Sequence, residues 1–330
     1  LARLSLHAGR DGRLVRRGRP RQYVVNIGIA VWTLQNLYEA GFARRVFADG
    51  RARLPEAGNG RDDLLDEALW EVEWMLRMQV PVGTRLALPV GAQDPSGKLA
   101  LTTVEAGGMV HHKVADAHWT GLPTNPADDR AWATAELFAT TGEPGYRAAL
   151  TTDPTAAPGW ASVAPLGAIT LATADGVPPA IRDAACAAIV AAFDGFLAEE
   201  LHVGYRIPYA AQKYDWGSNG TILNCAMLLG PAARFTGDPR YRAGVVDAAD
   251  YILGRNPLGQ SFVSGMGWKP LLNPHHRFWA HQIAPNSPLP PPGALSGGPN
   301  NSAMADPIAM ALKGHCAPQR CWVDDIHAMR

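Results

Sequence analysis

The residues best suited to chemistry gather late in the chain. Residues 251–277 read YILGRNPLGQSFVSGMGWKPLLNPHHR, and within them S-x-V-S-x-x-G-x-K-x-x-x-x-P-H-x-R runs from Ser261 to Arg277. His275 offers an imidazole that can donate or accept, and Arg277 a guanidinium that only donates. Two such side chains either contact the polar groups of a ligand or form a structural His–Arg pair in a loop. Near the C-terminus, Asp324 and Asp325 either orient a neighbouring acid or cap and solvate a turn. A third acidic group, Asp62, Asp63, Asp66, Glu67, Glu71 and Glu73, looks rich in catalytic carboxylates but reads as a solvated helix face. Cys316 and Cys321 are close enough to bridge across a loop or to stand as two thiols. Their spacing is poor for a metal, with no His pair at finger-like distance.

The elements that must position these residues are mostly helical. Tyr23–Gly41 places Val24, Ile27, Ala30, Val31, Leu34, Leu37 and Tyr38 at helix spacing and ends on glycine. Asp62–Val80 repeats the pattern with Leu64, Leu65, Ala68, Leu69, Val72 and Leu76. Helices are also expected over Ala131–Thr141, Pro179–Leu201, Ser218–Thr236 and Pro239–Leu253. Several are Ala-rich and apolar nearly all round, which implies burial on more than one side. The β-rich runs are short, Ala100–Val104 and Met109–Val114. Ser287–Asn301 is a Pro/Gly loop, too long for a turn and expected at the surface near a site. The pattern predicts an all-α fold with helices packed in pairs.

Composition narrows the function classes. The chain has 330 residues, 47% of them hydrophobic, and a formal net charge of zero. That length can bury a large core as one domain or two. The balanced charge favours neither nucleic acid nor an anionic membrane. No apolar stretch is long enough to span a bilayer. No signal peptide opens the chain, and Leu1 in place of Met suggests a fragment whose true start is missing. Four cysteines are too few for a disulfide scaffold.

The 261–277 motif resembles the histidine signature of glycoside hydrolase family 9, the β-1,4-glucanase (cellulase) family. Other segments extend the resemblance over most of the chain. YVVNIGIAVWTLQNLYE resembles the helix after the family's catalytic aspartates, and DDLLDEALWEVEWMLRMQVP the next helix. MVHHKVADAHWTGLP resembles a loop bearing an aromatic at the cleft. YDWGSNGTILNCAMLL and DAADYILGRNP resemble the last helical hairpin before the signature. GGPN…DPIA…CAPQRCWVDDIHA resembles the approach to the catalytic acid.

The resemblance implies an (α/α)6 barrel with an open cleft, in a single catalytic domain over residues 1–330. It implies a secreted enzyme that hydrolyses β-1,4-glucan with inversion and requires no cofactor, structural calcium being left open. The partner implied is a β-1,4-glucan or cello-oligosaccharide. It implies His275 and Arg277 at glucose hydroxyls beside the bond cleaved, and Asp324 before the acid. Trp119, Tyr214 and Trp216 are candidates to stack on sugar faces, against the usual fate of aromatics in the core.

Three features depart from the family pattern. The inverting reaction needs a carboxylate to activate water and a carboxylic acid to protonate the leaving oxygen. The base belongs to a D-A-G-D motif just before Tyr23, where this chain reads GRDGRLVRRGRPRQ. Arginine does not deprotonate in proteins and cannot serve as the base. Back-translation of Gly9–Arg21, read from the second base of each codon, can give DVTGGWYDAGDHG. A shifted reading frame therefore puts Arg16 and Arg19 on the two aspartate positions. The alternative is a basic arm for an anionic partner. Second, Asp129–Arg130 runs straight into Ala131, where the family carries a further helical hairpin. Third, Met329 stands where an aromatic is expected, and no glutamate follows before Arg330. The expectation is an inactive form of a glucanase. The other readings are a carbohydrate-binding pseudoenzyme and a pseudogene product without a stable fold.

Overall fold

The computed structural model describes residues 22–41, 46–52, 54–89, 101–111, 113–114, 127–150, 158–159, 163–202, 204–209, 214–276, 279–302, 304 and 306–328. Two compact units divide the chain, the first ending at Asn125 and the second beginning at Pro126.

In the first unit, β1 (Gln22–Tyr23) passes directly into α1 (Val24–Glu39) and pairs antiparallel with β4 (Lys113–Val114). Helix α2 (Asp63–Leu76) packs on α1. Their shared core is Ile27 and Val31 of α1 with Trp74 of α2 and Met78 just past its end; the first two belong to the apolar stripe expected for α1. Strands β2 (Arg85–Pro89) and β3 (Leu101–Glu105) form an antiparallel pair in which Arg85 faces Glu105. The expected β-run at 100–104 is thus one strand of a pair whose other strand, RLALP, was not anticipated.

The acidic stretch 62–73 is only partly the solvated face expected: Glu73 is exposed and Asp62 and Glu67 half-buried, but three members turn inward. Asp63, Asp66 and Glu71 are buried. Asp63 accepts the backbone N–H groups of Gly50 at 2.9 Å and Ala52 at 2.5 Å. Asp66 accepts from Asn59 and, at 2.9 Å, from Arg61. The preceding loop folds back over the first turn and supplies the donors. Helix periodicity could not foresee it, because the partners are outside the helix. Negative side chains there also suit the positive end of the helix dipole.

The second unit holds α3 (Ala127–Thr141), α4 (Pro144–Ala148), α5 (Ala164–Thr173), α6 (Pro179–Glu200), α7 (Ser218–Thr236), α8 (Pro239–Ile252) and α9 (Pro307–Leu312). Helix α3 runs unbroken through Asp129–Arg130. Packing is pairwise, α3 on α5, α5 on α6, α6 on α7 and α7 on α8. Helix α5 was missed in the sequence because it is apolar throughout and lacks a polar face to reveal its period. Residues Pro165–Ala172 are all buried. Gly167 permits the close approach to α3, since a Cβ there would lie 3.1 Å from the Ala135 Cβ and 3.3 Å from the Trp132 Cα. Glu136 of α3 accepts from Thr170 of α5 at 2.6 Å and from the Trp132 indole at 2.9 Å.

Helix ends carry the expected chemistry. Asp238 caps α8 by accepting from the Arg240 amide, with Pro239 at the first helical position. Gly237 closes α7 in a left-handed conformation, φ 69°, with its N–H on the Ala233 carbonyl. A core cluster of the described residues joins α7 and α8 to the segments that flank them. Its members include Ile207, Tyr214, Ile222, Tyr251, Phe262, Leu271 and Trp322. Among the described residues no helix is long and apolar enough to cross a membrane.

Candidate active site

Residues from four separate stretches converge at the end of α8. The chain leaves α8, makes a tight loop over 253–271 and enters the Pro-His-His segment. Gly265, Gly267 and Lys269 in this loop have φ of 66°, 73° and 46°. Gly267 is required by crowding, since a Cβ would sit 2.3 Å from the Leu253 carbonyl oxygen. The Trp268 N–H donates to the Leu253 carbonyl, and the Ser261 N–H donates to the Trp268 carbonyl. The loop is therefore fixed both by main-chain bonds and by Phe262, Val263 and Leu271, which it sends into the core.

The C-terminal segment 321–328 lies along this loop. Trp322 is buried with its ring edge-on to Phe262, centroids 5.1 Å apart, and its indole N–H on the Ser296 hydroxyl at 2.9 Å. That contact sets the next residues. Asp324 accepts the Leu272 amide at 2.8 Å and the Asn273 amide at 2.7 Å, and the Gln260 side chain donates to it at 3.2 Å. His275 meets the Ile326 carbonyl through Nδ1 at 2.5 Å. A carbonyl can only accept, so Nδ1 carries a proton and donates. Gln282 completes the clasp, donating to Asp325 and accepting from the Ile326 amide, both at 2.9 Å.

Asp325 is held below its ordinary carboxylate value. The His327 backbone N–H is the main cause, burial opposes it, and Gln282 and the His327 side chain add to the lowering. The Asx turn from Asp325 to the His327 amide is the turn-capping role foreseen for this pair of aspartates.

The aromatic candidates divide sharply. Tyr214 is fully buried, which corrects its assignment to a sugar face. Its hydroxyl accepts from Gln319 at 2.7 Å, and its ring meets Tyr209 edge-on. Burial pushes the Tyr214 phenol up to about 12, so it stays neutral. Trp216, two residues on, is 52% exposed. The segment that carries both is zipped to residues 300–302. The Tyr214 amide donates to the Asn301 side chain at 2.6 Å, and the Asn301 amide donates to the Tyr214 carbonyl at 2.9 Å. The Ser302 hydroxyl is bonded to Asp215.

The 287–301 loop is not simply a surface loop. Ser296 and Asn300 are buried, and Gly298 faces Asn219 so closely that a Cβ would meet its Oδ1 at 2.4 Å. Ser218 and Asn219, at the start of α7, bond to Pro299, Gly297 and Ser296. This part of the loop is the seat of α7's first turn.

Cys316 and Cys321 form a disulfide, with Cα atoms 5.2 Å apart. Among the described residues no group of three or more His, Cys, Asp or Glu could hold a metal ion. Trp119, Arg277, Arg16, Arg19 and Met329 lie outside the described residues. Gln260, Asn273 and Gln282 were missed in the sequence. Each is an ordinary polar residue whose role appears once the C-terminal segment is laid beside it.

Comparison with known proteins gives the family. The family described as "Glycosyl hydrolase family 9" matches residues 100–330. The chain belongs to glycosyl hydrolase family 9. It is 34% identical to Endoglucanase C of Cellulomonas fimi, over 93% of this chain and 34% of that protein. It is 32% identical to a cellulose 1,4-beta-cellobiosidase of Acetivibrio thermocellus, over 92% of this chain and 44% of that protein. A metagenome-derived glycoside hydrolase family 9 endoglucanase superposes with TM-score 0.73 at 27% identity, covering 96% of this chain and 66% of the other.

That overlap bears out the all-α class and the (α/α)6 barrel expected from the resemblance. The family 9 chain spans less than half the length of the two curated relatives. The alignment with Endoglucanase C extends over 401 residues, more than this chain contains, so the relative carries segments without a counterpart here.

Proposed function

We propose that this family 9 chain binds β-1,4-glucan at the His275 loop and Trp216 without turning it over. The observation that carries the reading is the clasp in which Asp324 and Ile326 hold residues 272–275. It fixes the imidazole with Nδ1 protonated, leaving Nε2 to accept from a sugar hydroxyl. Arg277 supplies donors in the same motif. Trp216 offers an exposed indole to the C–H face of a glucose ring. Asp324 is occupied on both oxygens by backbone amides, which suits a residue that builds the site rather than one that moves a proton.

The lack of turnover follows from the sequence before Tyr23. Arg16 and Arg19 occupy the aspartate positions, and neither can activate water. In the parent enzyme those aspartates would serve an inverting hydrolysis, with water between base and acid. A helical hairpin lost at Arg130 belongs to the same reading. The Cys316–Cys321 bridge supports an extracellular parent, since such bonds persist in oxidising compartments.

Two assays on the purified chain test this. Titration with cellotetraose should give saturable binding that His275→Ala weakens, with unchanged secondary structure. Reducing-sugar release from carboxymethylcellulose should stay at background. Hydrolysis above background by the contaminant-free chain would overturn the second half, and absence of binding the first.

A further inference from the structure

We infer that Gln319 is a positioning residue for the Trp216 platform, held in place by the Cys316–Cys321 disulfide, so that glucan binding depends on the redox state of that pair. The inference rests on the proposed role of Trp216 in binding.

The geometry is local and continuous. The disulfide closes a ring over residues 316–321, and Gln319 lies inside it on the 3-10 turn Pro318–Arg320. The side chain reaches out of the ring to donate to the Tyr214 hydroxyl at 2.7 Å. Tyr214 is fully buried, yet Trp216 two residues later is half exposed. A short segment that goes from full burial to exposure in two residues needs fixing on its buried side. Gln319 supplies a side-chain anchor, and Asn301 supplies two more through the Tyr214 backbone.

The ring and the Asn301 strip are themselves joined. The Asn300 amide donates to the Cys321 carbonyl at 2.9 Å. Cys321 and Met304 share a small buried cluster with Ala309. Opening the disulfide therefore releases the turn that carries Gln319 and loosens the neighbour that holds Tyr214. The clasp around Asp324 has a separate hold, because Trp322 packs on Phe262 and bonds to Ser296. Reduction should loosen the Trp216 segment and leave the His275 loop in place.

The chemistry balances with a dithiol. One dithiothreitol thiolate attacks a cysteine sulfur and breaks the S–S bond. The second thiolate then attacks the dithiothreitol sulfur of the mixed disulfide and releases the other cysteine as a thiolate. Two electrons and two protons pass to Cys316 and Cys321, and dithiothreitol closes to its cyclic disulfide.

The test uses the full chain, oxidised and treated with dithiothreitol, with the Gln319→Ala and Gln319→Glu variants kept oxidised. Hydrogen exchange followed by mass spectrometry reads residues 214–217 and 272–276 without any glucan. Reduction and Gln319→Ala should both speed exchange at 214–217 and spare 272–276. Cellotetraose affinity should fall about five-fold, the scale of one lost hydrogen bond. Gln319→Glu can accept from the Tyr214 hydroxyl and should restore both readouts.

If exchange and affinity are unchanged on reduction and in Gln319→Ala, the inference is overturned. If reduction unfolds the whole chain, the oxidised Gln319→Ala protein decides. If the oxidised wild type binds no cellotetraose, the proposed function fails, while the exchange data still decide whether Gln319 orders the segment.

Discussion

Two carboxylate-rich regions of this chain look alike in sequence and act differently. On α2, Asp63 and Asp66 are buried and bond to the loop that precedes the helix. In the C-terminal segment, Asp324 also spends its oxygens on backbone amides, but those amides belong to the loop that presents His275. Both are staples between a carboxylate and a distant loop. What the loop carries decides whether the staple serves stability alone or the site as well. Counting acidic residues cannot separate the two, and tracing their acceptors can.

The largest effect should come from breaking the site-bearing staple. Asp324→Ala orphans the Leu272 and Asn273 amides and should cost about 2–3 kcal/mol of stability, the scale for hydrogen bonds to a charged acceptor. Urea unfolding measures this. Cellotetraose affinity should fall at least about ten-fold, because His275 loses its fixed loop. An unchanged affinity in a folded variant would show that the staple does not position the imidazole.

Breaking the other staple should separate stability from binding. Asp63→Ala should lower the urea midpoint clearly, more than an exposed control such as Glu143→Ala. Cellotetraose affinity should stay within two-fold, about the scatter expected for a residue uncoupled from the ligand. A parallel loss of affinity would erase the contrast drawn above.

Acid should weaken both regions together. Asp63 and Asp325 are each held below the ordinary carboxylate value, Asp63 chiefly by the Ala52 amide and Asp325 chiefly by the His327 amide. A depressed folded-state value means the unfolded chain takes up protons first. The stabilisation is fully present above the unfolded value of about 3.9 and is lost as pH falls through the lower folded values. Urea midpoints should hold above about pH 4 and drop as pH falls below it, and the Asp63→Asn/Asp325→Asn double variant should show a shallower slope.

The smallest effect is expected at the rim. His327 is 61% exposed in its side-chain contact with Asp325. His327→Ala keeps the backbone N–H that is the largest single cause of the lowering at Asp325. Stability should change by no more than about 0.5 kcal/mol, as for exposed positions generally. A larger loss would mean that the imidazole, rather than the amide, orders this turn.

The long helices were legible because each shows one apolar stripe. Ser218–Thr236 was read with the observed bounds, and Pro239–Leu253 within one residue. Helix α5 was not, since uniform apolarity carries no period. The fate of Tyr214 and Trp216 was also hidden. They are two residues apart in one motif, yet one is core and the other open to solvent. Tyr214 is bonded to Asn301 and Gln319, which lie 87 and 105 positions away in sequence.

By itself the sequence determined the helical class, the family and the 261–277 motif, because these rest on local periodicity and on residue types at fixed spacing. Tertiary structure alone decided that Asp324 is a staple, that His275 carries a proton on Nδ1, and that Asp63, Asp66 and Glu71 of α2 turn inward. It also chose the bridged state of Cys316 and Cys321, which spacing left open. The physical reason is the same in each case. A hydrogen bond or disulfide is fixed by its partner's position in space, and these partners are supplied by segments that the local pattern does not connect.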